Sequence, residues 1–350
     1  MDVTNKKLLA LVAVGVLVIT GGAFAAVTYF DATGNDVEDG GANAVPEKST
    51  FGMYVDVNGL VTAESSRDLG EYVYEDSGGT YEQNMTYEEV INENVSEEDG
   101  WNFSSTDVDY VTVFGVSESF NGTQPKNFEN VNFDEEYAGA IVAFEQPLDE
   151  QFENGSDVVG NESDVEETEY NGHKVFIVNN TSNNTSNTEP FYIGVLDRNT
   201  VVVGPENVTK DSIDTLEGDN PPVSGDVANA IQTEDTVYMS FAFEVSEYDY
   251  ERGQGEYLND VELVTGQYET EGNEMNFSTS MRFSNTNNST QAAEGFEGLI
   301  DTLKFFVSDD NDAALQEIDK IVVEEDEETV KIEYNTTSDS LIRALEESEA

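Results

Sequence analysis

Two stretches of this chain alternate so regularly that little choice of secondary structure is left to them. Val237, Met239, Phe241, Phe243 and Val245 place an apolar side chain at every second position, and Met275, Phe277, Thr279, Met281 and Phe283 follow the same rhythm. A period of two turns one side of an extended chain to a core and the other to water, so both stretches read as half-buried strands. Phe51, Met53, Val55 and Val57 start the same alternation nearer the N-terminus, with Tyr54, Asp56 and Asn58 on the opposite side. Further strands are expected at 110–116, 137–145, 174–178, 191–196, 200–203 and 261–268, with a hairpin over 321–334. Asn171-Gly172 and Asp197-Arg198-Asn199 supply turns between paired strands. The period then lengthens: Phe296, Leu299, Ile300, Leu303 and Val307 recur at helical spacing. Other helices are expected at 210–216 and 312–319, and a last one on Leu341, Ile342 and Leu345.

The order of these elements repeats. Each half reads as strand, long loop, two strands, helix, two strands, helix, which predicts an α+β fold of two related halves. Each half would be a mostly antiparallel sheet with helices packed on one face. Asn207-Val-Thr209-Lys-Asp211-Ser212-Ile213 and Asn335-Thr-Thr337-Ser-Asp339-Ser340-Leu341 share Asn-x-Thr-x-Asp-Ser and an aliphatic residue. The simplest reading of both copies is a helix start, with Thr or Asp capping free N–H groups. The expected divisions are residues 1–30 as an N-terminal segment, 31–48 as a Gly/Asp/Asn/Ala-rich flexible linker, 49–218 as the first half and 219–350 as the second.

Charge excludes more than it assigns. Asp and Glu number 74 against 14 Lys and Arg, for a formal net charge of −60. Low hydrophobicity with high net charge is the mark of disorder, but aromatic residues at 10% and acids interleaved with apolar positions throughout point to a folded chain with an acidic surface. Such a surface suits concentrated salt, because at 1 M the Debye length is about 3 Å and surface repulsion is screened. Without cysteine there is no disulfide, thiolate metal site or cysteine nucleophile, and one histidine cannot build a multi-histidine metal site. Nucleic acid is not an expected partner, since phosphate neutralisation needs Lys/Arg clusters. Cations are expected only as diffuse counterions, and no cofactor is implied.

The N-terminus carries an address. After Lys6 and Lys7, residues 8–30 contain no charge. As a helix, these 23 residues rise about 35 Å, enough to cross a membrane. The favoured expectation is a single-pass cell-membrane anchor with the C-terminal bulk outside. The alternative is secretion after cleavage near Ala25, at Ala23-Phe24-Ala25. Fifteen Asn-x-Ser/Thr acceptors fit an exported glycoprotein, among them Asn84, Asn94, Asn102, Asn121, Asn154, Asn161, Asn207, Asn276 and Asn335.

Val45-Pro46 followed by Phe51-Gly-Met-Tyr-Val-Asp-Val57 looks like the start of uncharacterised exported haloarchaeal proteins that bear an N-terminal anchor. More distantly it is similar to bacterial exported proteins of unknown function. The resemblance runs loosely over residues 45–350. Its motifs are structural, so it implies no activity and carries no catalytic residue across.

Chemistry is sparse. His173 follows the Asn171-Gly172 turn and is expected as an exposed hairpin residue, with no Gly-x-Ser-x-Gly motif to partner it as a base. Asp309-Asp310-Asn311-Asp312 and Asp56-Val-Asn58-Gly59 approach a calcium loop without completing it, and Asp312 reads as a helix N-cap. Tyr248, Tyr250, Arg252 and Tyr257 form a candidate recognition loop, matched in the first half by Tyr72, Tyr74, Tyr81, Tyr87 and Trp101. The expected function is a membrane-anchored, salt-adapted cell-surface protein with a non-catalytic binding or structural role, its partner a surface protein or a glycan. The alternatives are an extracellular carboxylate hydrolase of polysaccharide or peptide, and a surface divalent-cation-binding module.

Overall fold

The structure, a computed structural model, describes residues 37, 39–76, 107–117, 133–147, 164–179, 190–232, 237–245, 260–307 and 312–349. Its twelve strands are β1 (Phe51–Asp56), β2 (Val108–Ser117), β3 (Phe133–Phe144), β4 (Asp164–Tyr170), β5 (His173–Asn179), β6 (Phe191–Val195), β7 (Thr200–Gly204), β8 (Val237–Glu244), β9 (Val261–Glu271), β10 (Glu274–Phe283), β11 (Ile321–Asp326) and β12 (Thr329–Thr337). Among the described residues seven helices accompany them: α1 (Val57–Thr62), α2 (Glu64–Asp76), α3 (Glu206–Leu216), α4 (Gly225–Ile231), α5 (Thr286–Phe306), α6 (Asp312–Ile318) and α7 (Ser338–Glu349). The fold is α+β, as expected.

The strands form one sheet and not two. Their order is β11-β12-β10-β9-β8-β1-β2-β3-β7-β6-β5-β4, and neighbouring strands run antiparallel. The joint is β1. One side of it pairs with β2, Val55 opposite Val111, and the other with β8, Phe51 opposite Phe243 and Val55 opposite Met239. The expected boundary between 218 and 219 is therefore bridged by backbone hydrogen bonds. Outward from the joint, β1-β2-β3-β7-β6 on one side is mirrored by β8-β9-β10-β12-β11 on the other, and the β5–β4 hairpin extends the first side alone. That hairpin turns on Asn171 and Gly172, whose φ of 50° and 87° suit a two-residue turn with both central residues left-handed.

Helices cover both faces, which corrects the expectation of one covered face. The reason lies in the central strands, which bury side chains in both directions. On the front, Val55, Val111, Val142, Ile193 and Val201 pack with Val57 and Leu60 of α1, Leu69 of α2 and Leu341 of α7. On the back, Phe114, Ile141 and Val202 pack with Val208 and Ile213 of α3 and Val227 and Ile231 of α4. Beyond the joint, Met281, Phe283 and Val330 receive Ala292, Ala293 and Phe296 of α5. Two expected features change accordingly. The linker is not a free spacer from Asp39 onward: a 3₁₀ turn over Asp39–Ala44 leads into the back core, with Ala44 and Val45 wholly buried. And the two Asn-x-Thr-x-Asp-Ser copies are not equivalent, because the first lies inside α3 and the second straddles the start of α7 on the other face.

The capping reading holds only for the second copy, where Thr337 Oγ1 accepts from Ser340 N at 3.2 Å. In the first copy the acids of α3 tie the helix to tyrosines on the sheet. Tyr137 donates to Asp211 at 3.0 Å and Tyr170 to Asp214 at 2.9 Å. Lys48 pairs with Asp211 at 2.7 Å and sits 3.6 Å from the centre of the Tyr137 ring. Burial, with Asp211 as hydrogen-bond acceptor and nearby negative charge, pushes the Tyr137 phenol well above its ordinary range.

The single-pass membrane localisation and the transmembrane-anchor assignment are corrected on one finding: no helix among the described residues is long and apolar enough to cross a membrane. The longest, α5, has 21 residues but carries Glu294, Glu297, Asp301 and Lys304. The expected anchor over 8–30 and the cleavage site near Ala25 lie outside the described residues.

Candidate functional site

β12 alternates Val330, Ile332, Tyr334 and Thr336 toward the front, and its last turn of chain leads into α7. α6 runs beside this end of the sheet and places Glu317 near its C-terminus, three residues before Lys320. Glu317 is the centre of a closed polar network. Its side chain is 5% exposed. Oε1 accepts from Lys320 Nζ at 2.7 Å and from Ser340 Oγ, and Oε2 accepts from Thr336 Oγ1 at 2.6 Å and Tyr334 OH at 2.8 Å. The Lys320 ammonium also donates to Thr336 Oγ1 and Ser340 Oγ, each at 3.0 Å. Each of these two hydroxyls thus accepts from the lysine and donates to the glutamate.

Burial alone would raise the Glu317 carboxyl. The donors Lys320, Ser340, Thr336 and Tyr334 outweigh it and hold the group below the usual carboxylate range. Tyr334 responds in the opposite sense, since burial and its bond to the Glu317 anion push the phenol above its ordinary value. Glu317 is therefore an anion with its lone pairs engaged, and a poor proton donor.

Next to this network is a cleft of about 760 Å³, where the β9–β10 turn meets the end of β12. Glu269, Glu271, Glu274, Asn276, Lys320 and Asn335 line it, with Thr270, Met275, Thr336 and Thr337. Asn276 and Asn335 are direct cross-strand partners. Asn276 Nδ2 donates to Glu269 Oε2 at 3.4 Å, while Asn276 Oδ1 is buried without a hydrogen-bond partner in the structure. The cleft offers acceptors in excess: three carboxylates and one orphan carbonyl, against a lysine already committed to Glu317.

The residues singled out from sequence fare unevenly. Tyr248, Tyr250, Arg252 and Tyr257 lie outside the described residues, as do Asn84, Asn94, Asn102, Asn121, Asn154 and Asn161. Of the remaining acceptor asparagines, Asn276 and Asn335 meet at the cleft, and Asn207 is exposed on α3. Asp309, Asp310 and Asn311 are outside the described residues, and Asp312 opens α6. Asp56 serves as the N-cap of α1, accepting from Gly59 N at 2.6 Å, and burial, partly offset by that bond, raises its carboxyl. Among the described residues no group of three or more His, Asp or Glu is placed to hold a metal ion.

His173 is buried at 2% exposure, not exposed as expected. The chain turns tightly at Asn171-Gly172, which brings the first residue of β5 under the C-terminal end of α3. Nδ1 lies 2.6 Å from Val195 O and Nε2 lies 3.0 Å from Glu217 Oε1. A carbonyl can only accept, so Nδ1 carries a proton. The ring ties β5, β6 and the residue after α3 together, a structural role. His173→Phe removes the donor to Val195 O and is expected to lower stability by about 1–3 kcal/mol, measured as a shift in the urea midpoint.

Glu317 and Lys320 escaped the sequence reading. Their i, i+3 spacing at a helix end was the available signal, but it does not stand out among 74 acids.

No protein-family model matches the chain, and no curated protein does. It is similar to solved structures titled as crystal forms of TP0453. Form I aligns at a TM-score of 0.42 and 9% identity over 90% of this chain and 98% of that one. Form III gives 0.44 and 10% over 90% and 99%, and form IV gives 0.42 and 11% over 88% and 96%. The likeness is long but loose.

Proposed function

We propose that this is a salt-adapted protein with a non-catalytic binding role, and that the cleft between the β9–β10 turn and β12 takes a hydroxyl-rich ligand such as a glycan. The observation that supports the non-catalytic reading is the state of Glu317. A carboxylate hydrolase needs an acid raised toward neutrality to protonate a leaving group. The buried carboxylate beside the cleft, Glu317, is shifted the other way. The ligand class follows from the acceptors on the wall, since sugar hydroxyls donate to carboxylates such as Glu269, which Asn276 Nδ2 holds in place. Titrating soluble oligosaccharides into the protein by calorimetry tests the reading. Binding should weaken at least about tenfold, or about 1.4 kcal/mol, in Glu269→Gln and in Asn276→Ala, with no sugar released. Hydrolysis of the ligand would sink the non-catalytic reading, and binding that ignores both substitutions would sink the site.

The mirrored strand order about β1–β8 supports descent of the two sides from one duplicated unit. Salt adaptation rests on the −60 charge. Between 0.1 M and 1 M salt the Debye length falls from about 10 Å to about 3 Å, so the thermal midpoint should climb over that range. A midpoint indifferent to salt would count against it.

A further inference from the structure

The two ends of the sheet are β4 and β11, and they are built differently. β4 carries Glu166, Glu167 and Glu169, all exposed, which deters pairing with another acidic strand. β11 is divided. Ile321-Val322-Val323 is apolar, while Glu324 to Glu328 are five consecutive exposed acids leading through the turn toward β12. Among the described residues, the exposed large hydrophobic side chains are Val322 at 44%, Leu299 at 48% and Phe305 at 84%. All three belong to β11 and to α5, the helix packed along it. The large exposed apolar side chains among the described residues therefore belong to one edge strand and the helix packed along it, and no described strand covers that edge.

We propose that the outer edge of β11 is a docking strand for an extended basic and apolar segment of another protein. Adding a strand would satisfy the free backbone groups of β11. Alternate apolar side chains of the added strand would lie on the face of Val323 and meet the flank of α5. Its Lys or Arg residues, on the opposite face, would reach Glu324 and Asp326, which share that face with Val322. Charge complementarity selects this occupant over a second copy, which would bring its own −60 to the same acids. The surface is separate from the cleft and does not depend on what the cleft binds.

The test uses the whole chain, at a salt concentration where circular dichroism shows it folded, and a fluorescein-labelled octapeptide alternating Lys and Val. Fluorescence anisotropy should report binding that falls at least tenfold in Glu324→Lys with Asp326→Lys, and not in Glu166→Lys with Glu169→Lys on β4. The same octapeptide N-methylated at alternate amides, which removes ladder donors but keeps the charge, should bind the unaltered protein at least tenfold more weakly. Equal binding of the N-methylated peptide, equal loss in the β4 pair, or no binding of the parent peptide would each overturn the proposal.

Discussion

Alanine in place of Gly40 is expected to remove about 3–5 kcal/mol of stability, against about 1–2 kcal/mol for alanine in place of Gly172. Both glycines have left-handed backbone, with φ of 75° and 87°, so both substitutions carry the same conformational cost. They differ in what a β-carbon would meet. At Gly172 nothing lies within 4 Å, whereas at Gly40 the new atom would stand 1.7 Å from Ile231 O. That oxygen belongs to the backbone of α4 and cannot rotate aside. Gly40 cannot retreat either, because its own carbonyl accepts from Thr112 Oγ1 on β2 at 2.7 Å. One of the two must break away, and the 3₁₀ turn leaves the back core with it. Urea unfolding of the two variants in molar salt measures the difference. Equal losses would show that the turn is not wedged between β2 and α4.

Glu317→Ala has the second large effect, about 2–4 kcal/mol, because it takes the acceptor from the buried Thr336 hydroxyl and from Tyr334 and the counterion from Lys320. Glu317→Leu combined with Lys320→Met should recover much of that loss, since removing both charges leaves neither uncompensated. The pH dependence has a definite sign. The folded-state carboxyl lies below the ordinary value of 4.5, so its contribution is complete above that value and is lost as pH falls through the lower, folded-state value. Unfolding free energies between pH 7 and 3 should therefore fall more steeply for the unaltered protein than for Glu317→Ala. Parallel curves would remove Glu317 from the acid response.

Most strands could be read directly because their apolar residues alternate. β8 and β10 are the clear cases, and α5, α6 and α7 appear where the period lengthens. What escaped reading was local structure that tertiary contacts decide. β4 is exposed along most of its length, so it has no buried side to give it a pattern. α1 begins at Val57, which the alternation assigns to a strand, because the Asp56 carboxylate caps the chain there. The single sheet was illegible for a related reason. Pairing of β1 with β8 is a contact between distant segments, and each strand by itself is equally consistent with two separate sheets. The site was harder still. Burial sets Glu317, with Asp197, apart from the other described acids, and burial is a property of the assembled fold. His173 shows the same limit, because its turn reads as surface until α3 closes over it.

The β1–β8 joint also sets an order of events during synthesis. Phe51 leaves the ribosome long before Phe243, its partner in the ladder. β2, β3 and the strands beyond can assemble on one side of β1 while the other side waits with its backbone groups open. Domains generally form from the N-terminus first, and such waiting edges are where nascent chains misassociate. The late arrival of β8 makes the completion of this sheet a slow, long-range closure. A ribosome-bound chain halted before Val237 should therefore be the species most in need of a chaperone.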